Sequence, residues 1–469
     1  MSRLVVVSNR VGPLNDTGRA GGLAVALVDV LRKRGGLWFG WSGAVSESGT
    51  FGELQFAEDD DVSTATIDVA RVDYDEFYAG FANKALWPTL HYRLDLTDFD
   101  RRLAEGYRRV NERFAARLVP LLQKDDIIWV HDYHFFLLGD YLRRAGVNNP
   151  IGFFLHIPFP VPEILTALPN HQAMVKAMLA YDLLGFQTAA HLSAFERYVL
   201  EEANGTRGED GALHALGRKV VADAFPIGID ADAFAGFHKT KEGSKNLSLV
   251  RSELDDRKQI IGVDRIDYSK GLPQRFMAFE RLLQMYPEHK GEVELLQIAP
   301  PSRSEVRAYK DIQESLEGLS GRINGRFSDL DWTPINFMSR SFPRRSLAGI
   351  YRASAVGLVT PLRDGMNLVA KEYIAAQDPE DPGVLVLSRF AGAAEEMTEA
   401  LIVNPYSIDE LAEALHRAIR MPLDERQHRF DLMHKKVMTN TAGAWAETFL
   451  DRLTTLNADA QGLNPAYLN

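Results

Sequence analysis

The sequence has no cysteine among its 469 residues. This absence excludes disulfides, zinc–thiolate sites and iron–sulfur clusters, and it agrees with a reducing compartment. Long apolar runs are missing as well: the N-terminus contains only the short run Leu4–Val7, and no stretch approaches the roughly 20 apolar residues that cross a bilayer. We therefore expect a cytoplasmic protein with neither a secretory signal nor a membrane partner.

A basic excess is also absent. Lysine and arginine number 53 against 64 aspartates and glutamates, which gives a formal net charge of -11. Nucleic acids and anionic lipids bind basic surfaces, so the composition predicts no nucleic-acid partner. A phosphorylated ligand must instead meet a local cluster of arginine and lysine.

Two nucleotide-binding fingerprints are missing. No G-x-G-x-x-G follows the first predicted strand, and the P-loop pattern G-x-x-x-x-G-K-[ST] does not occur, so a dehydrogenase or an NTPase is disfavoured. Asp329-Leu330-Asp331 has the D-x-D form of metal-dependent transferases, but such tripeptides arise often by chance. Histidines near a strand end, such as His131 and His134, are more often structural residues than metal ligands. The sequence therefore predicts neither a metal nor a cofactor.

What is present is a regular alternation of short β-branched runs with helical patterns, which is typical of parallel sheets covered by helices on both faces. The chain exceeds the roughly 250 to 300 residues at which a single core stops growing. We predict an α/β fold with two doubly wound domains in tandem and a cleft between them. The predicted strands are Leu4–Ser8, Gly36–Trp41, Ile127–His131, Ile151–His156, Asp182–Phe186, Val220–Ile227, Gln259–Val263, Glu294–Ala299, Ala355–Thr360 and Gly383–Leu387. The predicted helices are Leu23–Arg34, Phe99–Leu118, Phe135–Arg144, Ala189–Glu202, Leu272–Met285, Met366–Gln377, Ile408–Ile419 and Arg426–Val437.

The domain boundary is predicted from a polar stretch with weak apolar periodicity, Phe237–Leu254, which we interpret as a linker. The first domain then covers residues 1–237 and the second covers residues 238–452. The remaining tail, 453–469, is expected to pack back on the first domain.

Polar residues follow several predicted strands of the first domain, where open α/β sheets carry their functional groups. Arg10 follows the first strand, and a glycine pair ending at Gly22 opens the next helix, where backbone N–H groups favour an anion. Asp132 and His156 end two further strands. The aromatic stretch Tyr74–Arg93 lacks clean periodicity, and its rings either stack on sugars or fill the core.

The second domain has two segments suited to a diphosphate. Arg265 and Lys270 follow its first strand and aim at the predicted cleft. The segment 360–372 ends a strand, turns at Asp364-Gly365 and starts a helix whose first N–H groups can bind a diphosphate or a sugar hydroxyl. Glu372, about two turns into this predicted helix, can accept hydrogen bonds from a ribose diol.

These residues stand in segments that resemble the trehalose-6-phosphate synthase family, in its bacterial single-module form. The resemblance rests on LVVVSNR, AGGLAVAL, GLWFGWSG, NKALWPTLHYR, DIIWVHDYHFFLLG, FFLHIPFP, GVDRIDYSKGLPQR, LLQIAPPSRS and GLVTPLRDGMNLVAKEYIAAQ, and it spans nearly the whole chain. It implies two Rossmann-like domains of the GT-B type. It also implies transfer of glucose, with retention, from a nucleoside diphosphate glucose to glucose 6-phosphate. UDP-glucose is the expected donor.

The resemblance also implies residue roles. Acceptor binding falls to Arg10, Tyr78, Trp87, Asp132 and Arg303, with the two arginines on the phosphate. Donor binding falls to Gly22, His156, Arg265, Lys270, Asp364, Gly365, Met366, Asn367, Leu368, Val369 and Glu372. The catalytic group comprises Asp132, His156, Arg265, Lys270 and Asp364.

Several alternatives stay open from the sequence. Another phosphorylated acceptor, such as glycerol 3-phosphate, or a pseudo-sugar would fit the same donor chemistry, and a non-catalytic sugar-phosphate sensor is a further reading. The nucleotide base is open between uracil, guanine and adenine, and the oligomeric state between a monomer and a homodimer or homotetramer. The loop Val11–Ala20 matches no family sequence residue by residue, although it lies beside the predicted phosphate site.

Overall fold

The computed structural model describes residues 2–12, 14, 22–47, 51–303 and 306–460. The chain forms two compact units: residues 1–227 together with 443–469, and residues 228–442. Most of the loop Val11–Ala20 and the last nine residues of the predicted tail lie outside the described residues. Among the helices described, none is long and apolar enough to cross a membrane.

The first unit is built on a sheet whose strand order is β3-β4-β2-β1-β5-β6-β7-β10-β9-β8. Strands β4, β2, β1, β5, β6, β7 and β10 run parallel, and antiparallel strands are added at both edges. The strands are β1 Leu4–Arg10, β2 Gly36–Ser46, β3 Leu54–Asp59, β4 Val62–Ala70, β5 Ile127–His131, β6 Ile151–Phe154, β7 Leu183–Phe186, β8 Thr206–Arg207, β9 Leu213–Ala215 and β10 Arg218–Ala224.

Strand order in this sheet reverses between β1 and β5, which lie side by side. In open α/β sheets such a switch point leaves a crevice at the carboxyl ends of the strands. Arg10 ends β1, and Asp132 directly follows β5. The topology therefore brings these two residues to one edge of the sheet.

Helices of the first unit connect these strands, and one further helix packs on them from the end of the chain. The α-helices are Gly22–Arg34, Arg71–Asp73, Trp87–Leu90, Arg101–Leu118, Leu138–Arg144, Pro162–Leu165, His171–Met178, Ala189–Arg197 and Ala442–Ala460. Short 3-10 turns cover Leu94–Leu96, Val119–Leu121 and Tyr133–Phe135, and π-helical segments cover Tyr74–Leu86 and Tyr198–Glu202.

The expectation of an irregular aromatic stretch at Tyr74–Arg93 is wrong. Tyr74–Leu86 is a π-helix with a kink at Gly80 and continues into the helix Trp87–Leu90. A π-helix repeats its side chains with a longer period than 3.6 residues, because its hydrogen bonds span five residues. A search for helical periodicity misses it for that reason.

The last described helix, Ala442–Ala460, covers the sheet of the first unit. The Phe449 ring stacks on Trp129 of β5, with centroids 5.0 Å apart. A Cβ atom added to Gly152 of β6 would lie 2.6 Å from the Phe449 ring. Glycine in this strand is therefore a packing requirement, since it makes room for the helix that returns from the end of the chain.

The second unit contains a fully parallel sheet of order β13-β12-β11-β14-β15-β16. This is the doubly wound order 3-2-1-4-5-6, and its switch point lies between β11 and β14. The strands are β11 Lys258–Val263, β12 Val293–Ile298, β13 Ile335–Met338, β14 Val356–Val359, β15 Val384–Ser388 and β16 Leu401–Val403. The α-helices are Ala231–Gly236, Lys241–Leu254, Leu272–Met285, Arg307–Phe327, Arg344–Ala353, Leu368–Ala376, Ile408–Arg420 and Leu423–Thr439. Short 3-10 turns cover Phe237–Lys239, Tyr268–Lys270, Pro287–His289 and Gly392–Glu395.

The core of the second unit lies between this sheet and its helices. Ile260 and Leu295 on the sheet and Phe276 and Leu415 on helices are completely buried. Two strands of the sheet thus pack against helices 272–285 and 408–420, and this anchors the carboxyl ends of the strands.

The predicted fold class is confirmed, because each unit is an α/β structure with a doubly wound parallel sheet. The linker prediction is wrong: most of Phe237–Leu254 forms the helix Lys241–Leu254, begun by a Thr240 side chain that accepts from Gly243 N. Gly243 packs against Gly349 of the helix Arg344–Ala353, so the helix belongs to the second unit. The division of the chain accordingly falls after residue 227 rather than 237, and the first unit regains the chain at residue 443 rather than 453.

Candidate active site

Two chain segments meet at the switch point of the second unit. The segment after β11 carries Arg265 and Lys270, and the segment after β14 carries Asp364. Backbone hydrogen bonds join the two segments, since Leu362 N donates to Ser269 O over 2.7 Å. Gly271 allows this approach: it has φ +67°, and an added Cβ would lie 2.4 Å from Thr360 O.

Lys270 is the centre of a cluster of charged and polar groups in this place. Its ammonium forms an ion pair with Asp364 and lies 3.7 Å from Asp264 Oδ1. Asn367 Nδ2 donates to the same Asp364 oxygen over 3.0 Å. Burial works against the charge of Lys270, but the two aspartates outweigh it, so the pKa of Lys270 is raised and the side chain stays a cation.

A buried arginine holds one aspartate of this cluster in place from the protein interior. Arg275 is completely buried, and its Nη2 donates to Asp264 Oδ2 over 2.7 Å. Its Nε donates to Thr360 Oγ1 over 3.0 Å, which ties the end of β14 to the segment after β11. Gly262 of β11 leaves the space for the guanidinium and for Gln297, because an added Cβ would lie 3.0 Å and 2.4 Å from them. Arg275 therefore holds Asp264, which in turn faces Lys270.

The helix after Asp364 begins at Leu368, two residues later than predicted. Asn367 precedes it in a left-handed conformation with φ 70°, which ends the turn and delays the helix. Gly365 and Met366 are buried in that turn, and Met366 O accepts from Ala393 N over 2.8 Å. Leu368 and Val369 are partly exposed at the start of the helix, where N–H groups have no partner within the helix.

Glu372 lies one turn into this helix and is buried. Burial raises its pKa to about 7, although the nearby Arg344 guanidinium acts in the opposite direction. Arg344 Nε lies 4.0 Å from Glu372 Oε1. Burial thus opposes ionisation of this carboxyl group near neutral pH, and Arg344 is a neighbour that the sequence did not reveal.

Arg303 belongs to the second unit, whereas the other residues with a predicted acceptor role belong to the first. Its Nη1 donates to Tyr309 Oη over 2.5 Å and lies 3.5 Å from Asp267 Oδ2. Tyr309 Oη donates to the same carboxylate over 3.1 Å. Arg303 has φ 48°, so the chain holds it in an uncommon left-handed conformation.

In the first unit, Asp132 and His156 lie at the ends of neighbouring strands. Asp132 has φ 76°, a conformation that non-glycine residues rarely adopt outside functional sites. His156 N donates to Asp132 Oδ1 over 3.3 Å, and both side chains are partly exposed. The protein around the imidazole desolvates it and lowers the pKa of His156 to about 3. His156 is therefore neutral at physiological pH.

The predicted acceptor residues of the first unit are placed by the sheet and the π-helix. Arg10 is exposed at the end of β1, and its guanidinium lies where Gly43 leaves space: an added Cβ there would be 2.7 Å from Arg10 Nε. Tyr78 stacks on His134 with centroids 5.9 Å apart and is partly exposed. Trp87 is buried and stacks on His91 with centroids 4.2 Å apart. Gly22 is the first residue of the helix Gly22–Arg34.

A family model described as Glycosyltransferase family 20 matches residues 8–455. The chain belongs to glycosyltransferase family 20. The trehalose-6-phosphate synthase of Enterobacter sp. (strain 638) is 50% identical over 451 residues, which cover 96% of this chain and 94% of the relative.

Solved structures of similar proteins agree with the family 20 assignment. One is an α,α-trehalose-phosphate synthase (UDP-forming) from Burkholderia xenovorans in complex with glucose-6-phosphate, with a TM-score of 0.93 and 53% sequence identity. The match covers 97% of this chain and 100% of the Burkholderia chain. An E. coli structure described as bound with UDP-2-fluoro glucose has a TM-score of 0.92 and 48% identity, over 96% of this chain and 99% of its own.

In this family 20 chain the D-x-D tripeptide forms a surface turn. Asp329 Oδ1 accepts from Leu330 N over 2.8 Å, and Leu330 is fully exposed. Asp329 and Trp332 form an isolated bridge, which closes the turn before β13. The tripeptide thus has a local structural explanation.

Sequence patterns did not identify the buried residues that hydrogen-bond or pair with the candidate site residues and hold them in place. Asp264, Arg275, Gln297 and Arg344 have no predicted role in the sequence. Their partners lie up to 103 residues away along the chain. The only local signal was a charged residue on the apolar face of a predicted helix, as at Arg275.

Proposed function

We propose that this chain transfers glucose, with retention, from UDP-glucose to glucose 6-phosphate, giving α,α-trehalose 6-phosphate and UDP. Membership in family 20 and about 50% identity to trehalose-6-phosphate synthases support the reaction. The observation that carries it within the structure is the Lys270, Asp364 and Asn367 cluster at the switch point of the second unit.

The donor diphosphate is assigned to that switch point. Lys270 and Arg265 supply positive charge, and the N–H groups of Gly365, Met366, Asn367, Leu368 and Val369 supply donors at the turn and the helix start. Asp364 accepts hydrogen bonds from the glucose hydroxyls, and Glu372 accepts them from the ribose diol. Gly22 and His156 of the first unit complete the proposed donor set.

The acceptor is assigned to Arg10, Tyr78, Trp87, Asp132 and Arg303. Arg10 and Arg303 supply guanidinium forks that suit a phosphate. Tyr78 presents a partly exposed ring and its hydroxyl to a sugar ring, and the buried Trp87 ring is the second aromatic group of the proposed acceptor set. Asp132 accepts a hydrogen bond from a sugar hydroxyl.

The proposed reaction follows a front-face route without a covalent enzyme intermediate. The bond between the anomeric carbon and the diphosphate oxygen breaks, and the acceptor O1 forms the new bond on the same face. The O1 proton passes to the departing phosphate oxygen. Lys270, Arg265 and the helix start stabilise the developing negative charge, and one such donor contributes roughly 3 kcal/mol in comparable enzymes. The scheme needs no metal or cofactor.

The test is a measurement of nucleoside diphosphate release with panels of both substrates. We expect release from UDP-glucose with glucose 6-phosphate, and trehalose 6-phosphate as the product. Turnover with glycerol 3-phosphate in place of glucose 6-phosphate, or with GDP-glucose or ADP-glucose in place of UDP-glucose, would overturn the corresponding half of the proposal. A glucosyl-enzyme adduct on Asp132 or Asp364 in intact-mass spectra contradicts the front-face route. A cytoplasmic location and a homo-oligomeric assembly stay predictions.

A further inference from the structure

Both ring nitrogens of His156 are already engaged inside the first unit. His156 Nε2 lies 3.0 Å from His131 Nδ1, and His156 Nδ1 lies 3.2 Å from Gln187 Nε2. His131 and Gln187 are buried, whereas His156 keeps a partly exposed edge. The imidazole is therefore held between two buried side chains, and only one edge of the ring is exposed. We call this arrangement of His131, His156 and Gln187 the clamp.

The direction of these hydrogen bonds follows from a backbone group. Ile227 N can only donate, and it donates to Gln187 Oε1 over 3.0 Å. The other end of the amide, Nε2, consequently faces His156, and an NH₂ group can only donate. His156 Nδ1 must then be the acceptor, so the proton of the neutral ring is on Nε2.

The same reasoning extends to the second histidine. His156 Nε2–H donates to His131 Nδ1, which leaves the His131 proton on Nε2. That nitrogen is buried without a hydrogen-bond partner among the described residues, beside the rings of Trp129 and Trp445. A protonated His156 would direct an N–H at the amide NH₂ of Gln187, which no arrangement of this clamp accommodates.

We propose that Gln187 is a positioning residue that keeps His156 neutral, in its Nε2–H tautomer, and fixes the plane of its ring. The inference rests on the proposed function, because His156 lines the proposed donor site. A histidine held in this way has no free lone pair and cannot take the acceptor proton. The proton is left for the departing phosphate oxygen, which is what the front-face route requires.

The test replaces Gln187 with glutamate, Q187E. A carboxylate still accepts from Ile227 N, but it now accepts from His156 Nδ1 as well, so a proton on His156 Nδ1 becomes favourable. Long-range ¹H–¹⁵N spectra of the full chain without ligand report the tautomer. We expect a neutral Nε2–H ring from pH 5 to 8 in the wild type and a protonated or Nδ1–H ring in Q187E. We also expect kcat/KM to fall at least tenfold in Q187E and to acquire a titration step.

The matched control is Q377E in the second unit. Gln377 is also buried, its Oε1 accepts from Gly383 N over 2.9 Å and its Nε2 donates to Tyr351 O over 2.8 Å. Q377E should perturb stability comparably and leave the His156 spectrum unchanged. A wild-type His156 that titrates between pH 5 and 8, or a folded Q187E chain with unchanged tautomer and kcat/KM, overturns the inference. The spectra contain no substrate, so this result is independent of whether the proposed reaction is correct.

A second, separate feature is a pair of histidines on the second unit. His289 ends the turn Pro287–His289, and His416 lies on the helix Ile408–Arg420, where it stacks on Tyr286 with centroids 3.7 Å apart. His289 Nε2 and His416 Nδ1 are 2.9 Å apart, and a Glu288 carboxylate oxygen lies within 4.8 Å of both. The three side chains are the set among the described residues that can converge on one ion.

The geometry points to a site for a divalent transition-metal ion at His289, His416 and Glu288. Two nitrogens at that separation subtend about 90° at an ion bound at about 2.05 Å, the angle between adjacent ligands of an octahedral ion. Imidazole and carboxylate together suit nickel, copper or zinc rather than magnesium. The cations Arg420 and Lys258 act on His289 as well, which limits the affinity for a further cation.

The test is thermal unfolding of the chelator-treated full chain in rising NiCl₂. Because ligand binding stabilises the folded state, Tm should rise with nickel in the wild type and in H434A, a variant at another half-buried histidine. In H416A the rise should vanish. An equal rise in H416A, or none in the wild type, overturns the assignment.

Discussion

At the residue scale, the variant K270A distinguishes stabilisation of the transition-state charge from substrate binding. In K270A the cluster loses the cation that faces Asp364 and Asp264, and the developing diphosphate charge loses a donor. We expect kcat to fall about 100-fold and the KM for UDP-glucose to change only a few-fold, because the interaction strengthens in the transition state. Steady-state kinetics at saturating acceptor measure both constants.

The control for this variant is K436A. Lys436 lies on the helix Leu423–Thr439 and forms an ion pair with Glu399, which this variant removes. Its kinetic constants should equal those of the wild type. Melting curves show whether K270A is folded, because Asp364 loses its counter-charge there, whereas Asp264 keeps its ion pair with Arg275. Unchanged turnover in a folded K270A chain would remove Lys270 from the scheme.

We predict that the Glu372 carboxylate lowers the stability of the fold at high pH but strengthens donor binding. Its folded pKa of about 7 lies above the ordinary value of 4.5. A raised carboxyl pKa stabilises the fold below pH 4.5, and that contribution is lost as the pH rises through 7, because the buried group must ionise. We expect E372Q to be more stable than the wild type at pH 8, by on the order of 3 kcal/mol, with no difference near pH 4.

The same variant should bind donor more weakly, since an amide is a poorer acceptor for the ribose diol than a carboxylate. Melting temperatures between pH 4 and 8 and the KM for UDP-glucose at pH 8 test the two effects. A stability difference that does not change with pH, or a donor KM equal to that of the wild type, contradicts this account of Glu372.

At the scale of elements, glycines in the central strands decide how closely a helix can approach. An added Cβ at Gly152 would lie 2.6 Å from the buried Phe449 ring and 2.9 Å from Leu453. We expect G152A to destabilise the chain by about 1 to 3 kcal/mol, because the helix Ala442–Ala460 must shift. Chemical denaturation measures the change.

Gly236 offers the matched position, because an added Cβ there meets no atom within 4 Å. G236A should be neutral or slightly stabilising, since alanine restricts the unfolded chain. Equal stability of G152A and G236A would mean that the helix 442–460 does not pack on β6 as described.

At the scale of the whole molecule, the two ends of the chain belong to one unit. The helix Ala442–Ala460 covers β5 to β7 of the first unit through Trp445 and Phe449. A chain that ends at Ala442 lacks Trp445 and Phe449 and therefore exposes Trp129 and Phe154 of the sheet. We expect hydrogen exchange in β5, β6 and β7 to rise at least tenfold. Strands β11 and β14 of the second unit serve as the internal reference. Unchanged protection of β5 to β7 would contradict this dependence.

Local periodicity is sufficient to place many elements of this protein. The strand Ile127–His131 and the helix Leu272–Met285 have the predicted bounds, because a short apolar run that is buried throughout indicates a strand of a parallel sheet, and apolar positions that repeat every 3.6 residues indicate a helix. The helix Arg307–Phe327 and the strands of the edge hairpin Leu54–Ala70 were not predicted. The strand Leu54–Asp59 is largely exposed and carries little apolar pattern, so only its pairing with the next strand identifies it. The helix, by contrast, has buried or partly buried apolar residues three or four positions apart from Tyr309 to Ile323, which is a helical repeat that the sequence does contain.

By itself, the sequence determined the α/β class, the family resemblance and the cationic residues at the strand ends. Those properties depend on residue type and short spacing. Only the tertiary structure decided that Arg275 holds Asp264, that Gln187 faces His156 and that the last described helix returns to the first unit. These contacts join residues that strand order brings together, and strand order leaves no local periodicity in a sequence.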